Sequence, residues 1–286
     1  MKQSSSCPVE IIKLNARAAL KQADMLAVEE PLEIRIEFGE LSRRIQKNIS
    51  VTMRTPGNDF ELATGFLFTE GIIKNISDVL SVSHCANENV VKVKLAPGVA
   101  VEVNNLERNF YTTSSCGVCG KSSIDAIKTS RSLAGDVGNT DTIPPNLFFT
   151  LPTTLRKSQD VFDFTGGLHA CGLFDKEGKL LLSREDVGRH NALDKLIGAA
   201  LKSDMIPLNN YILLLSGRAS FELIQKAWMA GINIVAAVGA PSSLAVEMAK
   251  ESNITLVGFL RNQTLNIYSN PDRIKIEVGD VISQVN

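Results

Sequence analysis

The chain has 286 residues, 44% of them hydrophobic and 21% charged, with a formal net charge of −1. That length suffices for a buried core and for two domains, and the balanced charge argues against a nucleic-acid or membrane-surface partner. No apolar run reaches the length of a membrane span. An odd count of five cysteines, behind a Ser-rich start without an apolar h-region, points to a reducing cytoplasm.

Residues 1–27 read as a loosely ordered lead-in. Alternation then predicts strands at Leu32–Ile36 and Ile45–Met53. Pro56-Gly57-Asn58-Asp59 breaks the chain, and Asn58 with Glu61 predicts a capping-box start to a helix that Gly71 ends. Strands at Val90–Leu95 and Val99–Val103, joined by Ala96-Pro97-Gly98, complete a small β-rich domain over residues 28–110.

Residues 111–268 read as an α/β domain that opens on Ser114-Ser115-Cys116-Gly117-Val118-Cys119-Gly120-Lys121. A zinc site of four cysteines in two Cys-x-x-Cys pairs is excluded, because the remaining cysteines, Cys7, Cys85 and Cys171, form no second pair. A redox pair, a mixed Cys/His metal site and a nucleophilic thiol stay open, as does a plain loop with incidental cysteines. His84-Cys85 could join a zinc set, but its spacing matches no common ligand pattern. Local chemistry favours the nucleophile. Ser122 and Asp125 predict a helix start, and its positive end together with Lys121 would stabilise a nearby thiolate.

Pro144-Pro145 and Pro152 mark a linker-like stretch. A hairpin follows, His169–Phe174 and Leu180–Ser183 over Asp175-Lys176-Glu177-Gly178, and then a helix with apolar positions Leu193, Leu196, Ile197, Ala200 and Leu201. The block Arg184-Glu185-Asp186-Val187-Gly188-Arg189-His190-Asn191 between them is denser in charge than a helix cap at Asp186 requires, and it reads weakly as a site. His169 is expected to be structural or a site wall.

Next comes the clearest pattern: apolar runs at Tyr211–Leu215, Ile232–Val238 and Ile254–Phe259, with helices at Phe221–Ala230 and Leu244–Glu251 between them. This β-α-β-α-β order predicts a parallel sheet with its ligand beyond the carboxyl ends of the strands. The loops there are Ser216–Ser220, Gly239–Ser243 and Leu260–Thr264. The first two precede helix N-termini, which favour phosphate, and Arg218 and Arg261 offer forked donors to it. Gly217, Arg218 and Ser220 are therefore candidate cofactor-binding residues. Residues 269–286 read as a C-terminal extension.

Met53-Arg54-Thr55-Pro56-Gly57, Gly65-Phe66-Leu67 with Glu70-Gly71-Ile72-Ile73, Ser114 to Lys121, Thr165-Gly166-Gly167-Leu168-His169-Ala170, Arg184 to Asp194, Ser216 to Phe221 and Ala240 to Ala245 follow one another in this order. With these blocks the chain resembles the FdhD/NarQ family, the sulfur carriers required for formate dehydrogenase, from about Glu30 to Tyr268. The resemblance implies a cytidine deaminase-like α/β sandwich with a smaller β-rich N-terminal domain, and a homodimer. It implies sulfur transfer from a cysteine desulfurase to the molybdenum or tungsten of a bis(molybdopterin guanine dinucleotide) cofactor that serves formate dehydrogenase. The persulfide cysteine of the family falls on Cys116, with Cys119 as its partner. The cofactor-binding segment falls on Phe259, Leu260, Arg261, Asn262, Gln263 and Thr264, matching least closely at Asn262-Gln263-Thr264. Cys171 stands where a small residue is expected, and no permanently bound metal is implied.

Two other readings differ in class. A zinc deaminase needs Pro-Cys-x-x-Cys with His- or Cys-x-Glu, whereas Ser115 precedes Cys116 and neither x-Glu motif occurs. A non-catalytic chaperone that holds and inserts the pterin cofactor would need the strand-end loops but not the thiols. A thioredoxin-like reductase is disfavoured, because no strand of that pattern leads into the Cys-x-x-Cys.

Overall fold

The computed structural model describes residues 4–86, 88–101 and 142–276. Strands β1 (Ser6–Leu14) and β2 (Ala19–Ala27) form an antiparallel hairpin where a loose lead-in was expected. Neither strand buries a regular face, so hydrophobic alternation could not reveal it. A backbone ladder holds it, with a turn in which Asn15 Oδ1 accepts from the Arg17 and Ala18 amides, each at 2.9 Å.

Strands β3 (Glu30–Phe38), β4 (Ile45–Arg54), β5 (Val79–His84) and β6 (Val90–Leu95) form a four-stranded sheet in the order β4-β3-β6-β5. Leu32, Ile34, Ile36 and Phe38 alternate inward along β3, while Arg35 and Glu37 lie on the other face among ion pairs. Of the strand expected at Val99–Val103, residues 99–101 are irregular after Gly98, whose φ is 82°, and 102–103 lie outside the described residues. Edge strand β5 supplies the second partner of this hairpin instead. Helix α1 (Asp59–Thr69) starts where predicted but without the capping box. Asn58 is left-handed at φ 59° and makes no side-chain cap bond, and Glu61 pairs with Arg184 instead.

The stretch read as linker-like is helix α2 (Pro145–Arg156), with Pro145 in its first turn, where no amide partner is needed. Its Phe148, Leu151 and Leu155 are buried. After α3 (Asp160–Thr165) come β7 (His169–Phe174), β8 (Leu180–Asp186), α4 (Arg189–Lys202), β9 (Ile212–Leu215), α5 (Phe221–Met229), β10 (Ile234–Ala237), α6 (Ser243–Glu251), β11 (Thr255–Arg261) and β12 (Thr264–Ser269). The sheet order is β12-β11-β10-β9-β7-β8, with β9, β10 and β11 parallel and β7 antiparallel to β9. The fold is mixed α/β around the expected β-α-β-α-β core.

Both faces of this sheet are covered. Leu213, Leu215, Val235, Ala237 and Leu256 join the core with α4, α5 and α6, while Ile212, Leu214, Ile234, Ala236 and Val257 join α2. The first of these cores continues through α1 to Leu32, Ile34 and Ile36, so the two larger sheets share one interior.

Candidate functional site

The three strand-end segments are tied together in series. The Gly239 amide donates to the Gly217 carbonyl at 3.0 Å, and the Phe259 amide donates to the Gly239 carbonyl at 3.1 Å. A Cβ on Gly239 would lie 3.0 Å from that Gly217 oxygen and 3.1 Å from Arg218 Cγ, so a side chain here would crowd both. Gly217, Arg218, Ser220 and Phe259 thus meet at the carboxyl edge of the sheet. Leu260 is 1% exposed and packs into the core on the α2 side.

The third segment is a hairpin turn, because β12 follows β11 directly where a loop alone was expected. Asn262 and Gln263 take left-handed conformations at φ 52° and 57°, which a tight two-residue turn between twisted strands requires. Thr264 Oγ1 donates to the Arg261 carbonyl at 2.8 Å. Phe259 is itself left-handed at φ 51°, within the register shift between Gly258 and Arg261. That conformation is costly for an aromatic residue, and it is held here by the bond to Gly239. The Arg261 guanidinium lies 5.6 Å from the Phe259 ring centre, and Arg261 through Thr264 are exposed.

Basic side chains gather beside these loops. His169 starts β7, and a Cβ on Gly217 would lie 3.2 Å from its Nδ1. Burial, followed by the charges of Arg189, His190 and Arg218, pushes the His169 imidazolium pKa down. Arg189 opens α4, and its buried Nε has no hydrogen-bond partner among the described residues. Ser220 caps α5 without a side-chain cap bond, and its Oγ lies 3.3 Å from His190 Nε2. Glu222 Oε2 lies 3.8 Å from the same nitrogen. Burial works to raise the Glu222 carboxyl, but hydrogen bonds from His190, its own amide and Ser220 outweigh it and bring the pKa down to about 2. From sequence alone the block at 184–191, which holds Arg189, reads only weakly as a site, and His169 reads as structural or a site wall. The density of charge at 184–191 was the available signal.

Most of that charged block holds the molecule together. Asp186, fully buried, pairs with Lys195 at 2.7 Å, and it accepts from the Thr55 amide at 3.1 Å, the Gly188 amide at 2.8 Å and Asn191 at 3.1 Å. Lys195 also donates to the Thr55 carbonyl at 2.8 Å, and Asn191 donates to the Met53 carbonyl at 2.7 Å. Two sequence blocks, Met53–Gly57 and Arg184–Asp194, therefore meet in space. Glu185 caps α3, accepting from Val161 and Phe162, and burial still pushes its carboxyl pKa up. One turn along α4, Lys226 donates to both oxygens of Asp194 at 3.0 Å and to Thr69 Oγ1 at 2.9 Å. Burial opposes the Lys226 charge, but Asp194 and Glu70 outweigh it and raise its pKa. Asp186 is therefore an ion-pair anchor, and Gly188 occupies the cap position of α4.

Cys116 and Cys119 lie outside the described residues. Of the other cysteines, Cys7 is exposed, Cys85 half-buried and Cys171 buried, where burial pushes its thiol pKa up. Among the described residues no three or more His, Cys, Asp or Glu side chains converge as metal ligands, and no helix is long and apolar enough to cross a membrane.

The family model of the FdhD/NarQ family matches residues 27–275. The chain belongs to that family. A Streptomyces avermitilis protein named sulfur carrier protein FdhD is 50% identical over 278 residues, covering 94% of this chain and 96% of its own. Proteins of the same name from Mycobacterium tuberculosis and Saccharolobus solfataricus are 50% and 42% identical, covering 91% and 93% of this chain and 95% and 96% of their own. A crystal structure described as a putative formate dehydrogenase accessory protein, from Desulfotalea psychrophila, superposes with a TM-score of 0.69. It covers 95% of this chain and all of that one at 23% identity, which supports the fold of this FdhD/NarQ member.

Proposed function

We propose that this protein is a sulfur carrier that loads sulfur onto the Cys116–Cys119 loop and delivers it to the molybdenum cofactor of formate dehydrogenase. The observation that carries the reading is the Cys-x-x-Cys motif inside a family match spanning 27–275, among relatives named sulfur carrier proteins.

In the loading step the Cys116 thiolate attacks the outer sulfur of a cysteine desulfurase persulfide. A new S–S bond forms on Cys116, and the desulfurase thiolate leaves and takes up a proton. In the delivery step Cys119 attacks Cys116 Sγ, forming a disulfide and releasing the outer sulfur as hydrosulfide equivalent. The two thiols supply the two electrons that convert persulfide sulfur to a sulfide ligand on the metal, and a cellular thiol reductant resets the pair. The acceptor, a bis(molybdopterin guanine dinucleotide), presents its nucleotide end to the strand-end loops, where Arg218 and Arg261 offer donors and Phe259 an aromatic face. A homodimer in the cytoplasm would carry the loop on each copy.

The test is formate dehydrogenase activity in cells lacking their own carrier. Wild type is expected to restore activity and Cys116→Ala to leave it at background. Full restoration by Cys116→Ala, with the protein present at wild-type level, would refute the persulfide route.

A further inference from the structure

We propose that a polar cleft at the amino edge of the six-stranded sheet binds a small carboxylate, of the size of formate or acetate, through Arg273, Asn233 and Lys176. The cleft lies at the ends of β9 and β10 opposite Gly217 and Gly239, apart from the strand-end loops described above. It stands whether or not the chain carries sulfur.

Tyr211 and Asn233 immediately precede β9 and β10, and Lys176 comes from the turn between β7 and β8. Together with Asn209 and Arg273 they line the cleft. Two hydrogen bonds tie Arg273 to Asn233 through Thr255. The Thr255 amide donates to the Asn233 carbonyl at 2.8 Å, and Arg273 Nη1 donates to Thr255 Oγ1 at 3.3 Å. Thr255 is fully buried and spends its own hydroxyl proton on the Asn270 carbonyl at 2.6 Å, so it offers Arg273 only a lone pair. The Arg273 backbone is held as well, its carbonyl accepting from the Ile143 amide at 2.9 Å. The guanidinium makes no other hydrogen bond among the described residues, which leaves most of its five N–H donors for a ligand.

Asn233 points to a ligand independently. It is only 9% exposed, yet its carboxamide makes no hydrogen bond among the described residues. A buried amide without a partner is costly, and an oxygen in the cleft would relieve it. The cleft encloses about 10 Å³, the room of one water-sized group. One oxygen of a planar carboxylate fits there with the other at the mouth, whereas a tetrahedral phosphate is too broad.

Charge sets the sign of the ligand. Arg273 and Lys176 bring two cations, and no Asp or Glu lines the cleft. Asp175, beside Lys176 in the chain, is turned into its own loop, where it accepts from the Glu177 and Lys179 amides at 3.1 and 2.8 Å. A water would answer Asn233 alone. A carboxylate answers both the amide and the cations, and its two oxygens match the fork of Arg273.

The test is a ligand-detected NMR titration of the full-length protein with formate, acetate and inorganic phosphate. Wild type is expected to bind both acids saturably, with dissociation constants of about 1 mM or below. Arg273→Gln is expected to weaken both by about tenfold or more and to leave any phosphate binding unchanged. If Arg273→Gln does not fold, Lys176→Gln, in the turn, decides by the same loss. A phosphate affinity that falls as far as that for the acids would overturn the carboxylate assignment. Unchanged affinity for the acids in the folded variant, or no saturable binding of either acid to wild type, would overturn the site.

Discussion

Gly65 on α1 and Gly198 on α4 let the two helices touch backbone to backbone: a Cβ on Gly65 would lie 2.8 Å from the Gly198 nitrogen and 1.9 Å from the Asp194 carbonyl. A Cβ on Gly198 would likewise lie 1.9 Å from the Glu61 carbonyl. This crossing joins the four-stranded sheet to the larger one and sets Thr69 beside Asp194.

Gly65→Ala and Gly198→Ala are therefore each expected to cost about 3 kcal/mol or more, since backbone cannot move aside as a side chain can. Urea unfolding of each variant checks this. A midpoint unchanged from wild type would mean that the helices are not so closely apposed.

The Asp186–Lys195 pair is fully enclosed, so removing one partner strands the other. Asp186→Asn and Lys195→Met are each expected to destabilise by about 3–5 kcal/mol, and the double variant by less than the sum of the singles. A double-mutant cycle from denaturant melts gives the coupling, and strict additivity would contradict the pairing.

Glu222 gives a pH signature. Its folded pKa, about 2, lies below its ordinary value of 4.5, so the stabilisation it provides is complete above 4.5 and is lost as pH falls from 4.5 through 2. Glu222→Gln removes that proton uptake. Melting temperatures measured across this window should fall more steeply with acid in wild type than in Glu222→Gln. Parallel curves would show that the carboxylate is not held as described.

Arg261 is exposed and stands over Phe259 at the hairpin turn. If it contacts the nucleotide end of the acceptor, Arg261→Ala should weaken guanosine diphosphate binding by about tenfold while leaving the melting temperature unchanged. Calorimetric titration reads both the affinity and the stoichiometry. Unchanged affinity would remove Arg261 from the contact.

The parts of the fold with regular periodicity were legible in the sequence. Within the runs at Tyr211–Leu215 and Ile232–Val238, the strands Ile212–Leu215 and Ile234–Ala237 are buried on both faces, and such strands leave an uninterrupted apolar signature. The β1–β2 hairpin leaves none, because it buries no regular face. Pro145 and Pro152 read as linker punctuation, although Pro145 in a first turn is compatible with a helix and Pro152 is tolerated within α2. The placement of Gly217 and Arg218 at the end of a strand and before a helix was legible from position alone. Arg189 was not, because its distinguishing property, a buried nitrogen without a partner among the described residues, exists only once β7 and α4 are packed together. Asp186 was visible as part of a charged block. Its pairing with Lys195, a little over two helical turns along the chain, turned a possible site residue into an internal anchor.

The most direct measurement is the intact mass of the protein after incubation with a cysteine desulfurase and cysteine under non-reducing conditions, with wild type, Cys116→Ala and Cys119→Ala side by side. A sulfur carrier should gain one sulfur in wild type and Cys119→Ala and none in Cys116→Ala. No gain in any of the three, with guanosine diphosphate still bound, would contradict sulfur transfer and leave a protein that holds the cofactor without carrying sulfur.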